Sequence, residues 1–294
     1  MRFAKGHGTG NDFVILPDPD DDLDLTAALV ARVCDRHFGV GADGVLRVVR
    51  TAAAGADAAG QQADWFMDYR NADGSVAEMC GNGVRVFAKY LIEQGMAAGP
   101  ELAIATRAGT RMVRAEPDGQ FTVDMGAAAV LGEGEAEAGG QRLAGLAISV
   151  GNPHLACIVT QPVTAIDLEN PRVLRPAALT AGANIEVVRV LRDREVEMRV
   201  HERGSGLTLS CGTGAVAAAV AAAVCAGEWP DESAWSWTVR VPGGKLAVTP
   251  SAKASLLTGP AEIVAWGELA ARWIAEHSDR ADLAGRPLAR PRAT

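Results

Sequence analysis

Cys80-Gly-Asn-Gly83 and Cys211-Gly-Thr-Gly214 each head an apolar segment of helical character, the first running to Gln94 before Gly95 and the second to Ala226 before Gly227. A strand-like segment and a polar loop precede each one: Trp65 to Arg70 in the first case, Val196 to His201 in the second. Asn71 stands nine residues before Cys80, and Glu202 nine before Cys211. Gly10-Asn11 and Gly151-Asn152 open strands near the start of their respective halves. A chain that passes twice through strand, loop, cysteine and helix is constrained to fold as two related α/β halves, a duplication rather than a solenoid. The boundary is expected at the start of the Gly/Ala/Glu-rich stretch 126–145. That gives halves of 1–125 and 126–260, with 261–280 returning to the first half and 281–294 an Arg/Pro/Ala-rich frayed tail.

A cysteine at a helix start has a chemical meaning. The first turn offers free N–H groups and a partial positive charge. Both stabilise a thiolate and can lower its pKa from about 8.5 toward roughly 3.5–7.5. The glycines admit a ligand close to the backbone, where the same N–H groups can hold a carboxylate. A small buried cysteine in that position is also commonplace, so the weight lies on the repetition. Two such thiols suit inversion at carbon: one removes a proton from one face while the other delivers a proton to the opposite face.

Other functions are disfavoured. Lys and Arg number 28 against 36 Asp and Glu, a net charge of −8, and aromatics are 5%. This argues against a sequence-independent grip on nucleic acid or an anionic membrane, and against base-stacking platforms. Five widely spaced cysteines in 294 residues do not form a disulfide framework and point to a reducing, cytoplasmic setting. The N-terminus has no apolar signal-peptide core, and the longest apolar run, Ala215 to Ala226, is too short to span a bilayer. Gly39-Val-Gly-Ala-Asp-Gly44 matches a dinucleotide fingerprint, but it follows a helix and precedes a strand, the reverse of the required order. Cys34/His37 and His154/Cys157 each offer two metal ligands without a second pair, so no metal site is expected. Cys34, Cys157 and Cys225 read as packing thiols, and Thr51 to Ala63 as a loose loop. His7, His37 and His201 read as structural, whereas His154 next to Asn152-Pro153 is a candidate to line a site. For Asn11, Asn71, Asn152 and Asn184 a turn-forming role competes with ligand binding, and Glu202-Arg203 could be a solvated pair.

Taken together, the stretches Lys5 to Phe13, Gly39 to Gly44, Asn71 to Ser75, Met79 to Arg85, Gly151 to His154, Glu202 to Gly204, Ser210 to Ala215 and Val241 to Gly244 resemble the diaminopimelate epimerase family. They stand in family order across residues 2–267. The resemblance implies an α/β fold of the α+β type: two pseudosymmetric domains, each a curved mixed sheet around a central helix, with the active site in the interdomain cleft. It implies cofactor-independent epimerisation, without pyridoxal phosphate, of LL- to meso-diaminopimelate in lysine and peptidoglycan-precursor biosynthesis, by a homodimer. Cys80 and Cys211 become the two bases. Gly81, Asn82, Gly212 and Thr213 hold the α-carboxylate through backbone N–H groups. Asn11, Asn71, Asn152, Asn184, Glu202 and Arg203 bind the rest of the substrate, and His154 lines the site. Some members carry glutamine where this chain has Gly44, so Gly44 receives no binding role. The rivals are a relative acting on proline, hydroxyproline or histidine, a non-catalytic amino-acid-binding protein, and, less well, a cysteine hydrolase. Proline-racemase-like proteins tend to have histidine at the position of Asn82, and the Glu202-Arg203 pair with its asparagines suits a substrate with a second charged amino-acid end.

Overall fold

The computed structural model describes residues 1–180, 182–229 and 235–277. The chain begins with β1 (Arg2–Gly8), β2 (Asn11–Pro17), α1 (Ala27–Cys34), β3 (Gly44–Arg50), β4 (Trp65–Asn71), α2 (Gly81–Glu93) and β5 (Glu101–Ala105). It continues through β6 (Arg111–Ala115), β7 (Phe121–Gly126), β8 (Ala129–Ala138), β9 (Gln141–Ser149), β10 (Pro153–Ile158), β11 (Arg172–Arg175), β12 (Asn184–Arg192), β13 (Glu195–Glu202) and β14 (Gly206–Thr208). After α3 (Gly212–Cys225) come β15 (Trp237–Val241), β16 (Gly244–Thr249), β17 (Ser255–Gly259), β18 (Glu262–Glu268) and α4 (Ala271–Ala275).

Contacts divide the chain into two compact units. Among the described residues one comprises Met1–His7, Asp12–Arg111 and the segment from Glu262 to His277; the other comprises Gly8–Asn11 and those between Met112 and Ala261. In the first, β18 pairs antiparallel with β1, β1 with β2, β2 parallel with β3, β3 antiparallel with β4 and β4 parallel with β5. In the second, β8 pairs antiparallel with β9, β9 antiparallel with β10, β10 parallel with β12, β12 antiparallel with β13 and β13 parallel with β15. The same succession of parallel and antiparallel neighbours occurs twice, so the duplication read from the cysteine motifs extends to strand order.

In each unit the helix that follows the cysteine packs against the strands, and in the first unit α1 also packs on β2 and β3. α2 is amphipathic: Val84, Val86, Phe87, Ala88 and Leu91 are buried, while Lys89 and Glu93 pair at 3.1 Å on the outer face. α3 is apolar all round, and Ala215 through Ala223 are buried against β9, β10, β12, β13, β15 and β16. Alanine suits this position, because it has the highest helix propensity and lets strands approach the helix axis closely.

The contacts change unit between Arg111 and Met112, where β6 and β7 join a run of antiparallel strands through β17. The stretch 126–145 holds β8 and the start of β9, a hairpin whose alternating Glu and Ala place Ala136 and Ala138 inward. One expectation is corrected. Thr51 to Ala63 is not a loose loop. Ala58 packs with Val49, Phe66 and Ala105, and Gln61 bonds Thr106 O at 2.9 Å. The stretch 281–294 lies outside the described residues.

The glycine-rich 39–44 segment has a packing explanation. It is the turn after α1, and a Cβ on Gly39 would lie 2.1 Å from Arg32 O. Beside it, Asp12 accepts from Lys5 Nζ at 2.6 Å and from Arg36 at 2.8 and 3.1 Å. Burial alone would raise its carboxyl, but the hydrogen bonds from Arg36 and Lys5 outweigh this and bring it to about 2. A carboxyl held lower in the folded state contributes stability that is present above its ordinary value and is lost as pH falls through the folded one. Urea midpoints should therefore decline between about pH 4 and 2, and Asp12→Asn should flatten that decline while lowering the plateau at neutral pH.

Candidate active site

In the first unit, Cys80 has extended backbone (φ −141°, ψ 120°) and caps α2, its Sγ accepting from Gly83 N at 3.4 Å. Asn82 is wholly buried, and its Oδ1 accepts from Arg85 NH2 at 2.9 Å. The other arm of Arg85 reaches Gly81 O at 3.3 Å. A fully buried guanidinium is thus folded back over the helix start, one residue from the cysteine. Burial draws Arg85 down to about 10, which leaves it a cation at neutral pH. The Asn82 side-chain oxygen is therefore taken up by Arg85. Asn71 closes the 71–75 turn, with Nδ2 3.0 Å from Ser75 Oγ.

The second unit repeats this geometry. Cys211 (φ −125°, ψ 121°) caps α3, and Sγ accepts from Gly214 N at 3.4 Å. The parallel strands β10 and β12 put His154 opposite Asn184, while β13, antiparallel to β12, ends at Glu202. Asn152, His154, Asn184 and Glu202 thus share one edge of the sheet. In the first unit β2 starts at Asn11, and β4 brings Asn71 opposite Gly44 at the start of β3. Asn11 itself groups with the second unit: Thr9 Oγ1 donates to Ser210 Oγ at 2.7 Å, beside Cys211. Val241-Pro-Gly-Gly244 supports that turn; a Cβ on Gly243 would lie 1.7 Å from Thr9 O, so only glycine fits.

Around Cys211 the side chains interlock. Glu202 accepts from Thr208 Oγ1 at 2.5 Å and from the Cys211 thiol. Thr213 Oγ1 is 3.5 Å from Sγ, and Asn152 Nδ2 is 3.3 Å from Thr213 Oγ1. Asn184 Oδ1 accepts from Arg203 N at 2.9 Å, which orients the exposed Arg203. Burial, then the charges of Glu202 and Glu186, push the Cys211 thiol well above its ordinary value, so it stands as an acid at neutral pH. Burial also raises the Glu202 carboxyl, with partial relief from Thr208 and Cys211.

Arg85, Thr208, Ser210 and Glu186 were not picked out from the sequence. Ser210 and Arg85 adjoin the cysteine motifs; nothing local marks Glu186. Among the described residues no group of three or more His, Cys, Asp or Glu side chains is placed to hold a metal, and no helix is long and apolar enough to cross a membrane.

The remaining cysteines divide. Burial raises Cys34 and Cys157 to about 12. Cys225 corrects the packing expectation: it is exposed, because the buried stretch of α3 ends at Ala223 and the last turn emerges. A thiol at about 12 is ionised in only about one molecule in 10⁴ at pH 8. Iodoacetamide followed by peptide mass mapping should label Cys225 and leave Cys34 and Cys157 unmodified until the protein is unfolded.

The diaminopimelate epimerase family model matches residues 3–131 and 146–264. The chain belongs to the diaminopimelate epimerase family. A diaminopimelate epimerase from Thermobifida fusca is 57% identical over 274 residues, covering 92% of this chain and 98% of that protein. One from Mycolicibacterium vanbaalenii is 50% identical over 290 residues, covering 93% and 98%. The fold reaches further: the solved structure of a probable proline racemase from Agrobacterium radiobacter superposes with a TM-score of 0.64 at 14% identity, covering 92% of each chain. The two pseudosymmetric α+β domains of the diaminopimelate epimerase family are therefore present here. The unmatched residues between the two family segments fall in the β8–β9 hairpin.

Proposed function

We propose that this protein epimerises LL-diaminopimelate to meso-diaminopimelate without a cofactor, with Cys80 and Cys211 as the two acid/base groups. The observation that carries the reading is the paired geometry: two cysteines of extended backbone capping two helices with the same 3.4 Å N–H···S contact, in a chain of this family. One thiolate takes the α-proton. The electron pair left on carbon delocalises into the α-carboxylate, which the backbone N–H groups of Gly81, Asn82, Gly212 and Thr213 receive. The other cysteine delivers its thiol proton to the opposite face, so one proton leaves and one arrives, and the protonation states of the two sulfurs exchange. Asn11, Asn71, Asn152, Asn184, Glu202 and Arg203 fix which stereocentre reacts, and the buried His154 backs Asn152. The setting proposed is the cytoplasm, where five free thiols stay reduced, with the chain working as a homodimer in lysine and peptidoglycan-precursor synthesis.

The test is incubation of reduced protein with LL-diaminopimelate in D₂O, followed by chiral separation and mass spectrometry. Meso product carrying one solvent deuterium at the inverted carbon is expected. No product and no exchange from folded, reduced protein would reject the substrate and direct attention to proline, hydroxyproline and other amino acids.

A further inference from the structure

Glu186 lies on β12, outside every motif that carries the family resemblance. Its side chain and that of His154 have no exposure, and Oε1 is 2.7 Å from His154 Nδ1. From there a row of polar contacts leads to the sulfur. His154 Nε2 is 2.9 Å from Asn152 Oδ1, Asn152 Nδ2 is 3.3 Å from Thr213 Oγ1, and Thr213 Oγ1 is 3.5 Å from Cys211 Sγ. Oε1 also lies against the first turn of α3, 2.8 Å from where a Cβ on Gly214 would stand.

Proton counting fixes the direction of this row. Asn152 spends Nδ2 on Thr213, so it presents oxygen to the imidazole, and His154 Nε2 must carry hydrogen. One further proton lies between Nδ1 and Oε1. Whether it sits on nitrogen or on oxygen the pair is neutral overall, which is how two titratable groups accept complete burial. Thr213 accepts from Asn152 and so has its own O–H to donate to Sγ. Every donor in the row points toward Cys211. The second oxygen, Oε2, is buried without a hydrogen-bond partner among the described residues.

We propose that Glu186 is a positioning residue for the Cys211 half of the reaction: by holding the His154 ring it orients Asn152 and turns the Thr213 hydroxyl onto the sulfur. The inference rests on the epimerase reading for its kinetic consequence, but not for its proton arrangement. The other ionisable groups within electrostatic reach of Glu186 are Glu202, Cys211 and Cys157.

The test has two arms. In the wild-type protein, ¹⁵N-histidine NMR at pH 7.5 should show hydrogen on His154 Nε2, directed at Asn152. A bare Nε2 would overturn the proposal whatever the substrate is. In the second arm, Glu186→Leu and Glu186→Gln are compared for inversion and for deuterium exchange into recovered starting material, from the LL and the meso isomer separately. With leucine, inversion should fall about tenfold. One isomer should keep its exchange, through the Cys80 face, while the other loses it, and the asymmetry should match that of Cys211→Ser. Glutamine can donate to Nδ1 and should restore inversion to within about threefold. Equal loss of exchange from both isomers, or no loss of inversion, would overturn the proposal. If leucine prevents folding, the NMR arm still decides. Failure of the wild-type protein to act on diaminopimelate at all would count against the epimerase reading and leave the NMR result standing.

Discussion

Replacing Cys80 or Cys211 by alanine is expected to leave a folded protein that epimerises LL-diaminopimelate at least about 10³-fold more slowly, within the range general acid–base groups supply. Each sulfur caps a helix by accepting one N–H, so the stability cost should be on the order of 1 kcal/mol, as for loss of an N-cap, and far from enough to unfold the chain. Serine separates the roles further. Its hydroxyl accepts the same N–H bond, so Cys80→Ser should melt close to wild type while remaining nearly inactive, because an alcohol is a far weaker acid than a thiol. The double alanine variant should be no slower than either single one, since a two-group proton transfer is already broken by removing one group. Chiral chromatography with thermal unfolding of all four variants checks this. Appreciable inversion in both single alanine variants would sink the two-thiol mechanism.

What could be read in advance follows from where the physical cause resides. The cysteine caps were legible because their cause is local: a residue with extended backbone, then glycines, then an apolar helix, repeated at the same distance from Asn71 and Glu202. The β8 hairpin was legible in principle, because Gly-Glu-Gly-Glu-Ala-Glu-Ala has the period of a strand with one covered face. Glu186 and Arg85 were invisible for a different reason. A charged residue is ordinarily taken as exposed, and its burial depends on partners that the sequence does not mark; the histidine hydrogen-bonded to Glu186 is 32 positions away. Cys225 was misplaced because an unbroken alanine run does not show where the sheet stops covering the helix.

Glu202→Gln should move stability and activity in opposite directions. Burial raises the Glu202 carboxyl, so the folded state favours its protonated form. Such a group contributes stability below its unfolded value of 4.5 and loses that contribution as pH rises through the folded value. At pH 7, above that unfolded value, the carboxyl therefore lowers the stability of the wild-type fold. Glutamine is isosteric, can still accept from Thr208 Oγ1 and carries no such cost, so the variant should melt higher than wild type at pH 7, with the advantage shrinking toward pH 4. Activity should fall about 10–100-fold, the size expected when a group that positions and polarises an acid is removed. The Glu202 charge is, after burial, the next cause holding the Cys211 thiol high. Its removal should lower that thiol, and Cys211 should react faster with iodoacetamide at pH 8 in the variant than in the wild type. A carboxylate that destabilises the fold at working pH yet keeps the acid protonated belongs to the chemistry. If Glu202→Gln were instead less stable at pH 7, with an unchanged alkylation rate at Cys211, the carboxylate would be a structural acceptor for Thr208 and the control of Cys211 would have to come from burial and Glu186.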